Sequence, residues 1–302
     1  MADFSESEWE HRRISVGELE LHVVLAGPEE GPLVVLLHGF PELWYAWRLQ
    51  IGPLAAAGYR VAVPDLRGYG ESDKPEGVEA YSRPRLTADV AELIAALGYE
   101  RAHVVGHDWG GAVAWMVAMY RPEVVERLVI LNAPHPRAFA KHLRRPGQLA
   151  RSWYMFFFQL PWLPEALIRA GDYRLIRRVL HDEARRPGGF SEADVERYVE
   201  AAARPGALTA SINYYRSAIR DSWRSIFRPP RPESGDRRDR TVRAPTLVIW
   251  GEQDSFLTPP VADPGTRWVP DLRVERLPSA AHWVQVDEPE RVNALLLEHL
   301  GG

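Results

Sequence analysis

The chain reads as an α/β protein: a mostly parallel sheet flanked by helices and interrupted by an inserted all-helical segment. Three observations predict this. In the first part of the chain, short apolar runs alternate with amphipathic stretches of helix length, the pattern of strands joined by covering helices. From about residue 134 to residue 243 no strand-like run occurs, and arginine-rich amphipathic stretches broken by Pro146, Pro161, Pro164, Pro187 and Pro205 take over. At Thr246 the strand pattern resumes. The expected organisation is a core over residues 1–134, a helical cap over 135–243, and the remainder of the core over 244–302.

Residues 18–25 alternate polar and apolar side chains, as a half-exposed strand does. Residues 33–37 form a continuous apolar run ending at His38-Gly39, which suits a strand buried on both faces. Residues 59–63 and 102–105 follow the same pattern. Helical segments at 46–57 and 85–97 each stop at a glycine, Gly58 and Gly98. A further strand spans 127–131. After the insertion, 246–250 is apolar, 272–277 alternates, and 289–300 has helical apolar spacing. The proline- and charge-rich stretch 228–243 reads as an exposed linker.

Bulk properties bound the function. A hydrophobic share of 46% with 26% charged residues is that of a globular protein, and 302 residues bury enough surface to fold without staples. The absence of cysteine excludes thiol redox chemistry, Cys-ligated zinc and a disulfide scaffold. A net charge of −4 gives no reason to expect a nucleic-acid partner. The N-terminus is acidic and polar, and no window approaches the roughly 18 apolar residues of a membrane span. A soluble, cytoplasmic protein with no membrane partner is expected. A homodimer is left open.

The chemistry concentrates at Gly106-His107-Asp108-Trp109-Gly110-Gly111, between a buried strand and an apolar helix beginning near Ala112. Gly-x-nucleophile-x-Gly makes a tight strand-to-helix turn that exposes its central side chain and aims a helix N-terminus at charge developing there. Asp108 alone would serve equally well as a helix N-cap; the flanking glycines favour a nucleophile. A carboxylate attacks carbon without first losing a proton. On a carbonyl it would form a readily reversed anhydride, whereas on an sp³ carbon with an activatable leaving group it forms a stable alkyl ester. No Gly-x-Ser-x-Gly occurs, which disfavours a serine esterase.

This elbow, together with His38-Gly39-Phe40-Pro41-Glu42-Leu43-Trp44-Tyr45-Ala46-Trp47-Arg48 and Asp65-Leu66-Arg67-Gly68-Tyr69-Gly70-Glu71-Ser72-Asp73, resembles the soluble epoxide hydrolases of the α/β-hydrolase fold. The similarity covers nearly the whole chain, strongly in the core and weakly in the cap. Haloalkane dehalogenases share these motifs with variations and are the alternative. A non-catalytic ligand-binding member of the fold is a third reading, disfavoured because no triad residue is missing.

In chain order the triad runs nucleophile, acid, base. Asp254, in Gly251-Glu252-Gln253-Asp254, is the expected acid, and no carboxylate competes in Leu131-Asn132-Ala133-Pro134. His282, in Ser279-Ala280-Ala281-His282-Trp283, is the one late histidine in a suitable loop. It is the expected general base, with Asp254 fixing its tautomer. The backbone N–H groups of Phe40 and Trp109 match the family's oxyanion hole.

Two cap segments resemble those that carry the family's paired tyrosines. Tyr154 lies in Trp153-Tyr154-Met155-Phe156, and Tyr215 in Asn213-Tyr214-Tyr215-Arg216. A neutral phenol donates to the alkoxide an epoxide leaves behind. Tyr173, Tyr198 and Tyr214 are read as packing residues, with Tyr214 the rival register to Tyr215. Phe40 stands where many dehalogenases carry a halide-binding Asn. His107 is expected to be packed and hydrogen-bonded, and His135, His142 and His181, which lack metal-ligand spacing, are expected on the surface or in the cap. The partners implied are an epoxide and water; no cofactor or metal is implied.

Overall fold

The computed structural model describes residues 9–227 and 240–302. Most of the stretch read as a linker, 228–243, lies outside the described residues. Eight strands form one sheet: β1 (Glu10–Val16), β2 (Leu19–Ala26), β3 (Leu33–Leu37), β4 (Arg60–Pro64), β5 (Ala102–His107), β6 (Val125–Leu131), β7 (Thr246–Gly251) and β8 (Leu272–Leu277). Their spatial order is β1-β2-β4-β3-β5-β6-β7-β8. β2 pairs antiparallel with both β1 and β4, and every pair from β4 to β8 is parallel.

The apolar runs become the inner strands because helices cover both faces. On one face α1 (Arg48–Ala56) and α11 (Pro289–Gly301) set Ile51, Leu54, Val292 and Leu295 against Val34, Leu36 and Val61. On the other, α2 (Arg83–Ala96) and α3 (Asp108–Tyr120) set Val90, Leu93, Val113 and Val117 against Val35, Leu37 and Leu128. Gly58 and Gly98, expected to end helices, adopt φ of 94° and 88° just past α1 and α2, the left-handed conformation that terminates a helix at little cost for glycine. β1 was not expected. Its sequence EHRRISV is largely exposed and lacks the alternation that marks a half-buried strand; its register along β2 makes it an edge strand.

α3 begins at Asp108, four residues earlier than the apolar pattern suggests. Two glycines set its approach. A Cβ on Gly110 would lie 2.1 Å from the Leu37 carbonyl oxygen, and one on Gly106 would lie 2.4 Å from the Gly110 carbonyl oxygen. The first turn of α3 is thus seated directly on β3 and β5. Gly110 and Gly111 cost about 1 kcal/mol each in helix propensity. Burial of Val113, Trp115 and Val117 offsets this at about 1.5–3 kcal/mol apiece.

Between β6 and β7 every described element is a helix: α4 (Pro136–His142), α5 (Pro146–Arg151), α6 (Trp153–Phe157), α7 (Leu163–Glu183), α8 (Glu192–Ala203) and α9 (Ala207–Phe227). α7 is kinked where Ala170, Gly171, Asp172 and Tyr173 leave helical geometry. Phe158, Ile168, Ile176, Tyr198 and Ile212 join the hydrophobic cluster on the α1 and α11 face. Within the insert, buried Arg216 meets Glu165 at 2.7 and 3.1 Å and donates to the Phe158 and Leu160 carbonyls. The remaining short helix, α10 (Val284–Asp287), precedes α11. Among the described residues no helix is long and apolar enough to cross a membrane.

The three insert histidines differ in setting. His181 is exposed, 3.4 Å from Glu192. His135 and His142 are buried instead, because His135 packs its ring 5.0 Å from Trp115 and His142 bonds the Ala138 carbonyl within α4.

The seating of α3 gives a stability prediction. Gly110→Ala forces a methyl into the β3 backbone and should destabilise the protein by roughly 3 kcal/mol or more. Gly147→Ala, in α5 with nothing within 4 Å, should be neutral or slightly stabilising. Urea midpoints measured for the two variants check this; equal midpoints would refute it.

Candidate active site

The site lies beyond the carboxyl ends of the central strands, where open α/β sheets form their crevices. β5 delivers Asp108, whose φ of 48° is a left-handed conformation that costs an ordinary residue about 1–2 kcal/mol. The chain leaving β3 delivers Phe40, whose N–H donates to the Asp108 carboxylate at 2.8 Å. The Trp109 N–H bonds it as well. Burial raises the Asp108 pKa from its ordinary value, opposed by His282, His107 and these two N–H groups.

His282 follows β8 and Asp254 follows β7. The His282 Nδ1 lies 2.8 Å from Asp254, and Nε2 faces Asp108 at 3.7 Å. Burial opposes charge on the imidazole, but Asp254 and then Asp108 outweigh it and push the pKa up to about 9. Burial likewise disfavours charge on Asp254, yet His282, Asn132 and the Leu257 N–H hold its carboxyl below the usual range. The tight contact is with Asp254 and the looser one with Asp108, so the imidazole is oriented by one carboxylate while the other stays available.

Two features were not anticipated. Asn132, at the end of β6 with φ of 39°, donates to Asp254 at 2.7 Å and accepts from the Gly251 N–H at 2.8 Å. It ties Asp254 to the end of β7. The signal for it in the sequence was faint: an asparagine, which tolerates left-handed backbone, directly after a buried strand. The second is a buried pair below the site. Glu42 accepts from the Gly39 N–H at 2.7 Å and meets His107 Nδ1 at 2.9 Å, and His107 Nε2 bonds the His282 carbonyl at 2.9 Å. His107 is packed and hydrogen-bonded, as expected, and it links the loop after β3 to the His282 loop.

Aromatic side chains wall the site. Tyr215 packs at 4.8 Å on Trp109 and 5.7 Å on Phe40, and Tyr154 packs at 5.8 Å on Tyr215 and 5.9 Å on Phe256. Burial, then the Asp108 carboxylate, raises both phenols well above their ordinary pKa, so both stay protonated. Tyr214 points elsewhere: its hydroxyl donates to the Arg67 carbonyl at 2.8 Å. The structure therefore brings Asp108, His282, Asp254, Phe40, Trp109, Tyr154 and Tyr215 together; the Tyr214 ring packs on Trp109 at 5.5 Å, but its hydroxyl is turned away to Arg67.

α5 is anchored to the acid loop. Gln148 donates to the Phe256 carbonyl at 2.9 Å and accepts from the Thr258 N–H at 2.9 Å, and Arg151 donates to the Asp254 carbonyl. Among the described residues no cluster of three potential metal ligands occurs.

Comparison with known proteins agrees with this fold. The family model for the α/β hydrolase fold matches residues 32–289. The AB hydrolase superfamily protein YfhM of Bacillus subtilis is 43% identical over 95% of this chain and 96% of its own length. Epoxide hydrolase 4 of Homo sapiens is 37% identical over 94% of this chain and 76% of its own. Among solved structures, a Bacillus megaterium epoxide hydrolase in complex with an inhibitor superposes with a TM-score of 0.85 at 30% identity, covering 96% of this chain and all of that one. With its sheet order and these relatives, the chain belongs to the α/β hydrolase fold family, in the group that includes the epoxide hydrolases.

Proposed function

We propose that this protein hydrolyses epoxides to vicinal diols through a covalent ester on Asp108. The observation that carries the reading is the pairing of a carboxylate nucleophile with two buried, protonated phenols, Tyr154 and Tyr215, in one aromatic pocket. The epoxide hydrolases among the relatives support the substrate class.

In the first step an Asp108 oxygen bonds to an epoxide carbon and the ring C–O bond breaks. The leaving oxygen takes a proton from one phenol and a hydrogen bond from the other. In the second step His282, oriented by Asp254, removes a proton from water, and the hydroxide adds to the ester carbonyl carbon. The N–H groups of Phe40 and Trp109 receive the resulting oxyanion. Collapse expels the diol oxygen, which takes the proton of the re-formed Asp108 carboxyl, and the proton held on His282 returns to the phenolate. Loss of the Asp108 charge on alkylation removes one of the causes that raise the His282 pKa. This shifts His282 towards the neutral imidazole that the second step needs.

In the same reading the helices between β6 and β7 form a cap, residues 135–243, set between core segments 1–134 and 244–302. A halide site is less well supported. The Trp109 side chain hydrogen-bonds Tyr215, and Phe40 offers no side-chain donor.

His282→Gln should alkylate and then stall, so intact-protein mass spectrometry after exposure to styrene oxide should show one added epoxide. Asp108→Ala should show neither adduct nor diol. Normal turnover by His282→Gln would sink the mechanism. Each single change, Tyr154→Phe or Tyr215→Phe, should slow alkylation by roughly 10- to 100-fold, the 1.5–3 kcal/mol of a hydrogen bond to developing charge, and the double change should nearly abolish it. Tyr214→Phe should leave the rate close to wild type while lowering stability by about 1–2 kcal/mol, since the buried Arg67 carbonyl loses its donor. Stopped-flow alkylation and urea unfolding separate these effects. Because the folded His282 pKa lies above its ordinary 6.5, the stability it contributes is complete below about pH 6.5 and lost as pH rises towards 9. Melting temperature should therefore fall more steeply from pH 7 to 9 in wild type than in His282→Gln.

A further inference from the structure

Every exposed large hydrophobic side chain among the described residues falls within residues 149–175 of the helical insert. Leu149, Trp153, Phe156 and Leu160 follow one another at spacings of four, three and four along α5, α6 and the turn beyond, which puts them on one side. Gln148, Ser152 and Phe158 on the other side are buried. Trp162, Leu167 and Leu175 continue the exposed series into α7, whose Ile168 and Ile176 point inward. Trp153 and Trp162 leave 63% and 73% of their surface bare. Single exposed apolar residues need no explanation, but a cluster confined to one stretch marks a surface that meets something.

The charge around the cluster indicates what it meets. Residues 141–178 carry eight Lys or Arg against two acidic residues, in a chain whose net charge is −4. One of the two, Glu165, is buried against Arg216. Lys141, Arg144, Arg145, Arg169 and Arg174 are exposed and form no ion pair with any described residue. Two copies meeting through this face would bring like charges together. An anionic bilayer surface instead accepts aromatic rings at the headgroup level and attracts the flanking cations.

We propose that this face of α5–α7 docks on anionic lipid surfaces, with Trp153, Phe156 and Trp162 entering the headgroup region. Spanning a bilayer takes about 20 consecutive apolar residues, whereas lying on one takes only an apolar patch rimmed by cations. Docking rests on exposure and charge alone and stands apart from the reaction at Asp108.

Co-sedimentation with vesicles tests this, using phosphatidylcholine alone and phosphatidylcholine with about one-third phosphatidylglycerol. Wild type should bind the mixed vesicles at least tenfold more tightly than the neutral ones, and salt should weaken this binding. Trp153→Ser/Phe156→Ser/Trp162→Ser and Arg144→Glu/Arg145→Glu should each lose about tenfold, with turnover of a small water-soluble epoxide unchanged. The charge variant alters only exposed side chains, so it decides the matter if the apolar variant misfolds. Absence of wild-type binding to mixed vesicles, or variants that bind like wild type, would overturn the proposal. So would a concentration-dependent dimer in light scattering that the apolar substitutions dissolve, which would assign the face to a second copy.

Discussion

The close seating of the first turn of α3 on β3 and β5 is the constraint on which the active centre depends. With a hydrogen in place of a side chain at Gly110, the helix lies against the Leu37 carbonyl. The same contact brings the chain leaving β3 to Asp108, so that Phe40 donates to the carboxylate at 2.8 Å. The left-handed backbone of Asp108 is held by this packing on both sides. One steric fact thereby positions Asp108, the Phe40 N–H that meets it and the N-terminus of α3 behind both. The remaining parallel strands end at the same edge and contribute Asn132, Asp254 and His282.

The buried charges at this edge are tolerable because each has a partner of opposite or donating character. A buried ion pair is favourable only where hydrogen bonds satisfy its remaining lone pairs. Asp254 meets that condition through His282, Asn132 and the N–H groups of Phe256 and Leu257. Glu42 and His107 form a second pair, and the two imidazoles lie 4.9 Å apart between centroids. Asp108 is engaged more loosely, 3.7 Å from the imidazole and raised in pKa by burial. The tightly held carboxylate is the one suited to orienting, and the loosely held one is the one suited to reacting.

Much of this was legible in the sequence because the relevant signals are local. The elbow glycines, the apolar runs of β3 to β7 and the resumption at Thr246 depend on neighbours a few residues apart. The order Asp108, Asp254, His282 follows from strand succession. β1 was missed because EHRRISV pairs through its backbone at an edge while its exposed side chains carry no pattern. Asn132 and the Glu42–His107 pair were missed because their partners lie across strands: 122 residues separate Asn132 from Asp254, and 65 separate Glu42 from His107. The burial of His135 likewise depends on Trp115 in another helix. For Tyr214 and Tyr215 local context indicated a preference, and the distinction in the structure is geometric: both rings pack on Trp109, but the Tyr214 hydroxyl is taken by the Arg67 carbonyl, whereas Tyr215 packs on Phe40 and Tyr154.

The anchoring of α5 makes the insert and the loop that carries Asp254 mechanically dependent on each other. Gln148 and Arg151 hold the backbone of the loop that carries Asp254, so any movement that lifts α5 from the core loosens the acid at the same moment. Opening and poise are thus opposite ends of one lever. Changes in α5 consequently bear on the loop that carries Asp254 without altering Asp254 itself. Helices that vary freely to reshape a pocket must leave this one strut in place.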